Sequence, residues 1–260
     1  NNLGVLYVRG ELVEYDIKKA IHYFSLAAFQ NFADAQNNLG IIYGEGKLVK
    51  QDINRAIHYF SLAANQNHPD AQNNLGSIYY SGCNAEKNIL KGIYWIEMSS
   101  KNRNKDAIFS LGFLFHEGKH VKRDISKSIH FYKDASNLNN HLAKNNLGVL
   151  YKYGYEKEVL PTFGGIVYFE EAIKEKSDPV AMHNLSNIYI YELWSEENFN
   201  KAIKLLIQSS KQGFNCSSEF LCILMIKKYG VDIKKILMEL LEHDDCTDQF
   251  LLSILDIIFD

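Results

Sequence analysis

The chain is 260 residues long, 47% hydrophobic and 13% aromatic, which is ample for a core and excludes a disordered segment. Its 28 basic and 31 acidic residues are interspersed to a net charge of −3. No extended positive field therefore exists to draw in a phosphate backbone or an anionic membrane, and nucleic acid is excluded as an expected partner.

The first Leu-Gly pair, Leu3-Gly4, is followed by Tyr7, Gly10, Asp16 and an apolar run from Ala20 to Ala28. The series returns at Leu39-Gly40, Leu75-Gly76, Leu111-Gly112 and Leu147-Gly148, each 36 residues beyond the last. A fixed period of about 20–50 residues marks an array of repeats. In the second unit Ala35, Leu39, Ile42 and Tyr43 fall on one face of a helix, and small Gly40 on that helix admits a close neighbour. Gly46 suits the left-handed residue that ends a helix, and Asp52 suits the N-cap of the next, whose stripe is Ile53, Ala56, Ile57, Phe60, Ala63 and Ala64. Each unit is thus helix A, loop, helix B. One pair alone leaves apolar faces bare, so neighbours must stack. Counting 36 residues back from Ala35 passes the start of the chain, so the first repeat is expected to be truncated at its N-terminus.

Later units drift. The fifth carries a loop over 156–162 with Pro161, and its helix B stripe becomes Gly165, Tyr168, Phe169 and Ala172. The sixth keeps Ala181, Leu185, Tyr189 and Ala202 but has Ser186 and Glu192 where glycines stood. Beyond Gly213 the pattern survives as amphipathic stretches near 218–228, 232–242 and 247–259. The expected organisation is about six repeats over 1–212 and a degenerate seventh repeat or helical cap over 213–260.

The motif A-x-x-x-L-G-x-x-Y-x-x-G, then D, then A-x-x-Y-F-x-x-A-A closely resembles the Sel-like repeat, a cousin of the tetratricopeptide repeat. That resemblance implies an all-α, right-handed superhelical solenoid of antiparallel helix pairs. It also implies a non-catalytic adaptor that binds a partner peptide or protein in a concave groove. The alternative is a regulatory or targeting segment of a larger signalling enzyme, associated with a kinase or ubiquitin ligase, whose catalytic domain lies outside these residues. Family members act in the cytosol and at the endoplasmic reticulum. Cys83, Cys216, Cys222 and Cys246 show neither paired spacing nor CxxC, which fits a reducing compartment and a cytoplasmic location.

No catalytic constellation stands out, and no cofactor or metal is expected. His22, His58 and His130 share one repeat position, but equivalents two helices apart lie roughly 16–20 Å from each other, too far to share a zinc ion. The phosphate-loop, HExxH, GxSxG and kinase signatures are absent. No apolar run approaches the roughly 20 residues needed to cross a bilayer, so membrane insertion by this segment is not expected.

The recurring polar signal is asparagine, a poor helix-interior residue. Asn2, Asn38, Asn74, Asn146 and Asn184 precede the Leu of the motif, with Ser110 at the fourth unit. Asn1, Asn37, Asn73 and Asn145 stand one place earlier, with Phe109 and His183 in the other units. By analogy with tetratricopeptide helices this row faces the groove, where primary amides can hold an extended peptide backbone. Alternatively the amides bond neighbouring helices. Asp34, Asp70 and Glu45 would make the front of the groove acidic, and Tyr153 and Tyr191 the back aromatic.

Overall fold

A computed structural model describes residues 1–10, 13–82, 87–155 and 161–229, and every regular element among them is helical. The helices are α1 (Asn2–Arg9), α2 (Ile17–Phe29), α3 (Ala33–Glu45), α4 (Ile53–Ala64), α5 (Pro69–Ser81), α6 (Ile89–Lys101), α7 (Lys105–Glu117), α8 (Ile125–Asn137), α9 (His141–Lys152), α10 (Pro161–Lys176), α11 (Pro179–Tyr191), α12 (Glu196–Lys211) and α13 (Asn215–Tyr229). Odd-numbered helices are the A helices and even-numbered ones the B helices. α13 spans the expected stretch near 218–228, whereas those near 232–242 and 247–259 lie outside the described residues. The described residues fall into two compact units, the first Asn1–Ala143 and the second beginning at Lys144.

In the first unit the A-to-B loops follow one recipe. Gly10, Gly46, Gly82 and Gly118 end the A helices at φ between 67° and 70°. Asp16, Asp52, Asn88 and Asp124 then cap the B helices, each side chain accepting the N–H three residues on. That bond stabilises a helix by about 1 kcal/mol. The B-to-A turns use left-handed residues that are not glycine, namely Asn31, Asn67, Arg103 and Asn139 at φ 60–65°. The last three are followed by the A-helix caps His68, Asn104 and Asn140.

A ring over a glycine holds the first, second and fourth pairs together. A Cβ on Gly4 would stand 2.6 Å from the Phe24 ring, on Gly40 2.6 Å from Phe60, and on Gly112 2.7 Å from Tyr132. The third pair solves the crossing differently. Ile96 replaces the ring, and Gly92 brings α6 against the backbone of α5 at Tyr80. In the second unit Phe169 lies over Gly148 in the same manner, and α11 packs on α12 through Ile190, Phe199 and Ala202. Ser186, where earlier repeats have glycine, is fully buried and donates to the His183 carbonyl at 2.7 Å.

Buried polar pairs add a second layer of fit. Gln36 accepts from Gln66 at 2.7 Å while donating to the Ala28 carbonyl at 3.3 Å, and Gln72 accepts from Asn102 at 2.9 Å while donating to the Ala64 carbonyl. In the second unit Lys144 takes the place of glutamine, bridging Glu171 at 3.2 Å and Glu175. Burial pulls the Lys144 ammonium down, but bonds from Glu175 and Glu171 more than offset this and hold it above the usual lysine range.

Candidate functional site

The asparagine row sits on the A helices, and three of its members reach the A helix before. Asn38 Nδ2 donates to Asn1 Oδ1 at 3.2 Å, Asn74 to Asn37 at 3.4 Å, and Asn184 to Asn145 at 3.1 Å. The acceptors Asn37 and Asn145 are buried. Each rung therefore spends one amide proton and one carbonyl oxygen on neighbouring helices. Asn2 lies exposed at the start of α1, and Asn146 lies half-buried on α9.

The rung at the fourth unit is missing. Ser110 is too short to reach back and instead donates to the Asp106 carbonyl at 2.8 Å, leaving Asn73 Oδ1 buried without a hydrogen-bond partner. An unmet buried acceptor costs about 1–3 kcal/mol. Ser110→Asn should complete the rung and raise unfolding free energy by about 1 kcal/mol, read from thermal or urea unfolding.

The aspartates are also engaged. Asp34 accepts from His68 at 3.1 Å, Asp70 from Asn104 at 2.7 Å, and Asp106 from Asn140 at 2.9 Å. The partner in each case is the cap of the next A helix, so these carboxylates tie one repeat to the next. His68 imitates asparagine: its Nδ1 accepts the Ala71 N–H, so the proton sits on Nε2 and is donated to Asp34.

Two cavities line the A-helix face of the first unit. The first, about 280 Å³, lies among α1, α2 and α3, with Val5, Val8, Ile41, Ile42 and Leu48 as its apolar walls and Arg9, Asn38 and Glu45 as its polar ones. The second, about 230 Å³, lies among α3, α4 and α5 and includes Ile41, Glu45, Phe60, Asn74 and Ile78. Candidate residues Asn38, Asn74 and Glu45 thus meet at these cavities. Asp34, Asp70, Asn37 and Asn73 line neither. In the sequence Ile42 stood out only as part of the core-facing stripe and Ile41 not at all, although the residue after the motif's glycine is apolar in four of five units: Val5, Ile41, Phe113 and Val149, with Ser77 the exception.

In the second unit Tyr153 and Tyr191 are exposed, at 70% and 67%, and Tyr191 lies 6.0 Å from the Phe220 ring. His183 packs edge-on against Phe214, and its Nδ1 meets Ser217 Oγ at 3.0 Å. Burial and the Lys152 charge hold the His183 imidazole below its usual range, and burial with Arg123 does the same to His116. Unfolding raises both pKa values toward 6.5, so the unfolded chain binds more protons and stability falls on acidification through that value. Thermal midpoints measured from pH 7.5 to 5.5 should drop, and the drop should shrink in a variant carrying His116→Gln and His183→Gln.

Among the described residues no group of three His, Cys, Asp or Glu side chains could hold a metal ion, and no helix is long and apolar enough to cross a membrane.

The family model for the Sel1 repeat matches residues 1–31, 33–68, 69–104, 105–140, 141–175 and 179–214. The chain belongs to the Sel1 repeat family. Sel1 repeats are in general non-catalytic protein-interaction modules. A Sel1 repeat protein from Oxalobacter formigenes has the same fold, with a TM-score of 0.74 at 27% identity over 81% of this chain and 86% of that one. The protective antigen c5321 of uropathogenic Escherichia coli, which displays the same repeat fold, aligns at 25% identity with a TM-score of 0.72. That alignment covers 87% of this chain but 48% of that one, so this chain spans about half its length. The immunity protein PA5088 of Pseudomonas aeruginosa shares the fold at 19% identity, with a TM-score of 0.55 over 88% of this chain and 80% of that one. No curated protein matches the chain.

Proposed function

We propose that this Sel1 repeat chain is a non-catalytic scaffold that captures a partner protein or peptide along the face of its A helices. The observation that carries the reading is the pair of successive cavities there, each apolar inside and edged by an asparagine amide. Asn38 and Asn74 each place one amide proton on the previous repeat, and the carbonyl oxygen of each could accept a ligand's backbone N–H. Exposed Tyr153 and Tyr191 extend the same use to the second unit as aromatic anchors. The cytoplasm is the compartment in which we place this activity.

Proximity labelling with the full-length protein supplies the partner, and purified chain then supplies the affinity. Asn38→Ala with Asn74→Ala should lower stability by about 1 kcal/mol per rung and weaken partner binding. Lowered stability with unchanged affinity would assign the amides to helix packing alone.

A further inference from the structure

A further cavity, about 280 Å³, opens where α6, α7 and α8 meet, and the neighbouring repeats show what its walls have lost. At the two preceding junctions the corresponding place is crossed by side-chain amides. Gln66 donates to Gln36 at 2.7 Å and to Asn31 at 3.1 Å, while Asn102 donates to Gln72 at 2.9 Å and to the Asn67 carbonyl at 3.4 Å. One period later Leu138 stands for the donor, Ile108 for the glutamine and Arg103 for the turn asparagine. All three line the cavity, together with Ser100 of α6 and with Phe131 and Asp134 of α8. The amide tie between the third and fourth repeats is gone. In its place lie buried Ile108 and half-buried Leu138 and Phe131, with Arg103 and Asp134 exposed above them.

We propose that this cavity binds a free aliphatic α-amino acid of the leucine type: side chain against Ile108, Leu138 and Phe131, carboxylate at Arg103, ammonium at Asp134. Both charges are departures from the repeat, for Arg103 replaces Asn31 and Asn67, and Asp134 stands where Leu26, Leu62 and Met98 stand. Arg103 has no side-chain partner among the described residues. Asp134 pairs with His130 at 3.5 Å, an exposed contact within one helix and therefore weak. Arg103 and Asp134 form no ion pair with each other, so their charged atoms stand more than 4.0 Å apart across the cavity they share. A plain carboxylate would meet Asp134 as well as Arg103, and a plain amine would meet Arg103 as well as Asp134. A zwitterion satisfies both, and its apolar side chain covers the aliphatic floor. Bound there, the ligand touches all three helices and supplies the tie that amides supply at the earlier junctions, so binding stabilises the folded chain. No partner protein enters this site, and it stands or falls independently of the scaffold reading.

The test titrates the whole chain with leucine, with isocaproate, which lacks the ammonium, and with isoamylamine, which lacks the carboxylate. Binding is read from the methyl resonances of Ile108 and Leu138 by NMR and from the thermal midpoint. Leucine should shift both methyls, raise the midpoint and bind about tenfold more tightly than either analogue, the factor expected for one charged hydrogen bond. The variants borrow residues that other repeats already carry at these positions, so each should fold. In Arg103→Asn, leucine and isoamylamine should bind equally; in Asp134→Leu, leucine and isocaproate should. Ile108→Gln with Leu138→Asn copies Gln72 and Asn102, restores the amide tie, and should leave leucine without effect on the midpoint. Unmoved methyls at millimolar leucine overturn the proposal, as do equal affinities for the three compounds or variants that bind leucine like the parent chain. N-acetylleucine binding as tightly as leucine would also overturn it, by giving the cavity to the end of a peptide chain.

Discussion

Gly92→Ala should destabilise the chain by about 3 kcal/mol, whereas Gly44→Ala should be neutral or stabilising by up to about 1 kcal/mol. Both glycines lie within helices and look interchangeable by propensity alone. Their surroundings differ. A Cβ at Gly92 would stand 2.7 Å from the Tyr80 backbone nitrogen and 2.8 Å from its Cα, and backbone cannot move aside without shifting α5. At Gly44 the closest atom is Ala56 Cβ at 3.5 Å, an ordinary contact. Urea unfolding of the two variants side by side is the check, and equal losses would mean that the third pair does not cross as closely as described.

Phe60→Ala should cost about 3–5 kcal/mol, because a ring that is 3% exposed leaves a cavity between α3 and α4. Part of this loss should be recovered by adding Gly40→Ala. Alone, Gly40→Ala puts a methyl 2.6 Å from the Phe60 ring, a clash expected to cost about 1–3 kcal/mol. Beside Phe60→Ala the methyl enters the vacated space. The two losses should therefore fail to add by about 1–2 kcal/mol, a coupling typical of residues in direct contact. Additive losses in a double-mutant cycle would show that ring and glycine do not meet.

Much of this packing was legible in the chain because a repeat prints its constraints at a fixed interval. Gly40 and Phe60, Gly46 and Asp52 recur together, and each type has one physical reason to be there. The left-handed turns at Asn31, Asn67, Arg103 and Asn139 were not legible, since arginine at φ 60° follows no composition rule. The aspartates read as a groove-facing row, yet Asp34, Asp70 and Asp106 bond the caps of the next repeats. That pairing joins residues 34 apart, and it emerges only once the repeats are stacked. The asparagines were noticed for their cost in a helix, and the alternative of bonds between neighbouring helices describes three of them. The apolar cavities escaped because Val5 and Ile41 look like ordinary core residues until the structure shows them lining open space.

On the proposed function, a protein partner lies against the A helices of the Sel1 repeats. Hydrogen–deuterium exchange on the full-length protein, with and without the partner identified by labelling, tests it most directly. New protection should concentrate in α1, α3 and α5 around Val5, Ile41 and Ile78, with α2 and α4 little changed. Protection confined to the exposed positions of the B helices, with α3 and α5 exchanging as in the free protein, would contradict it.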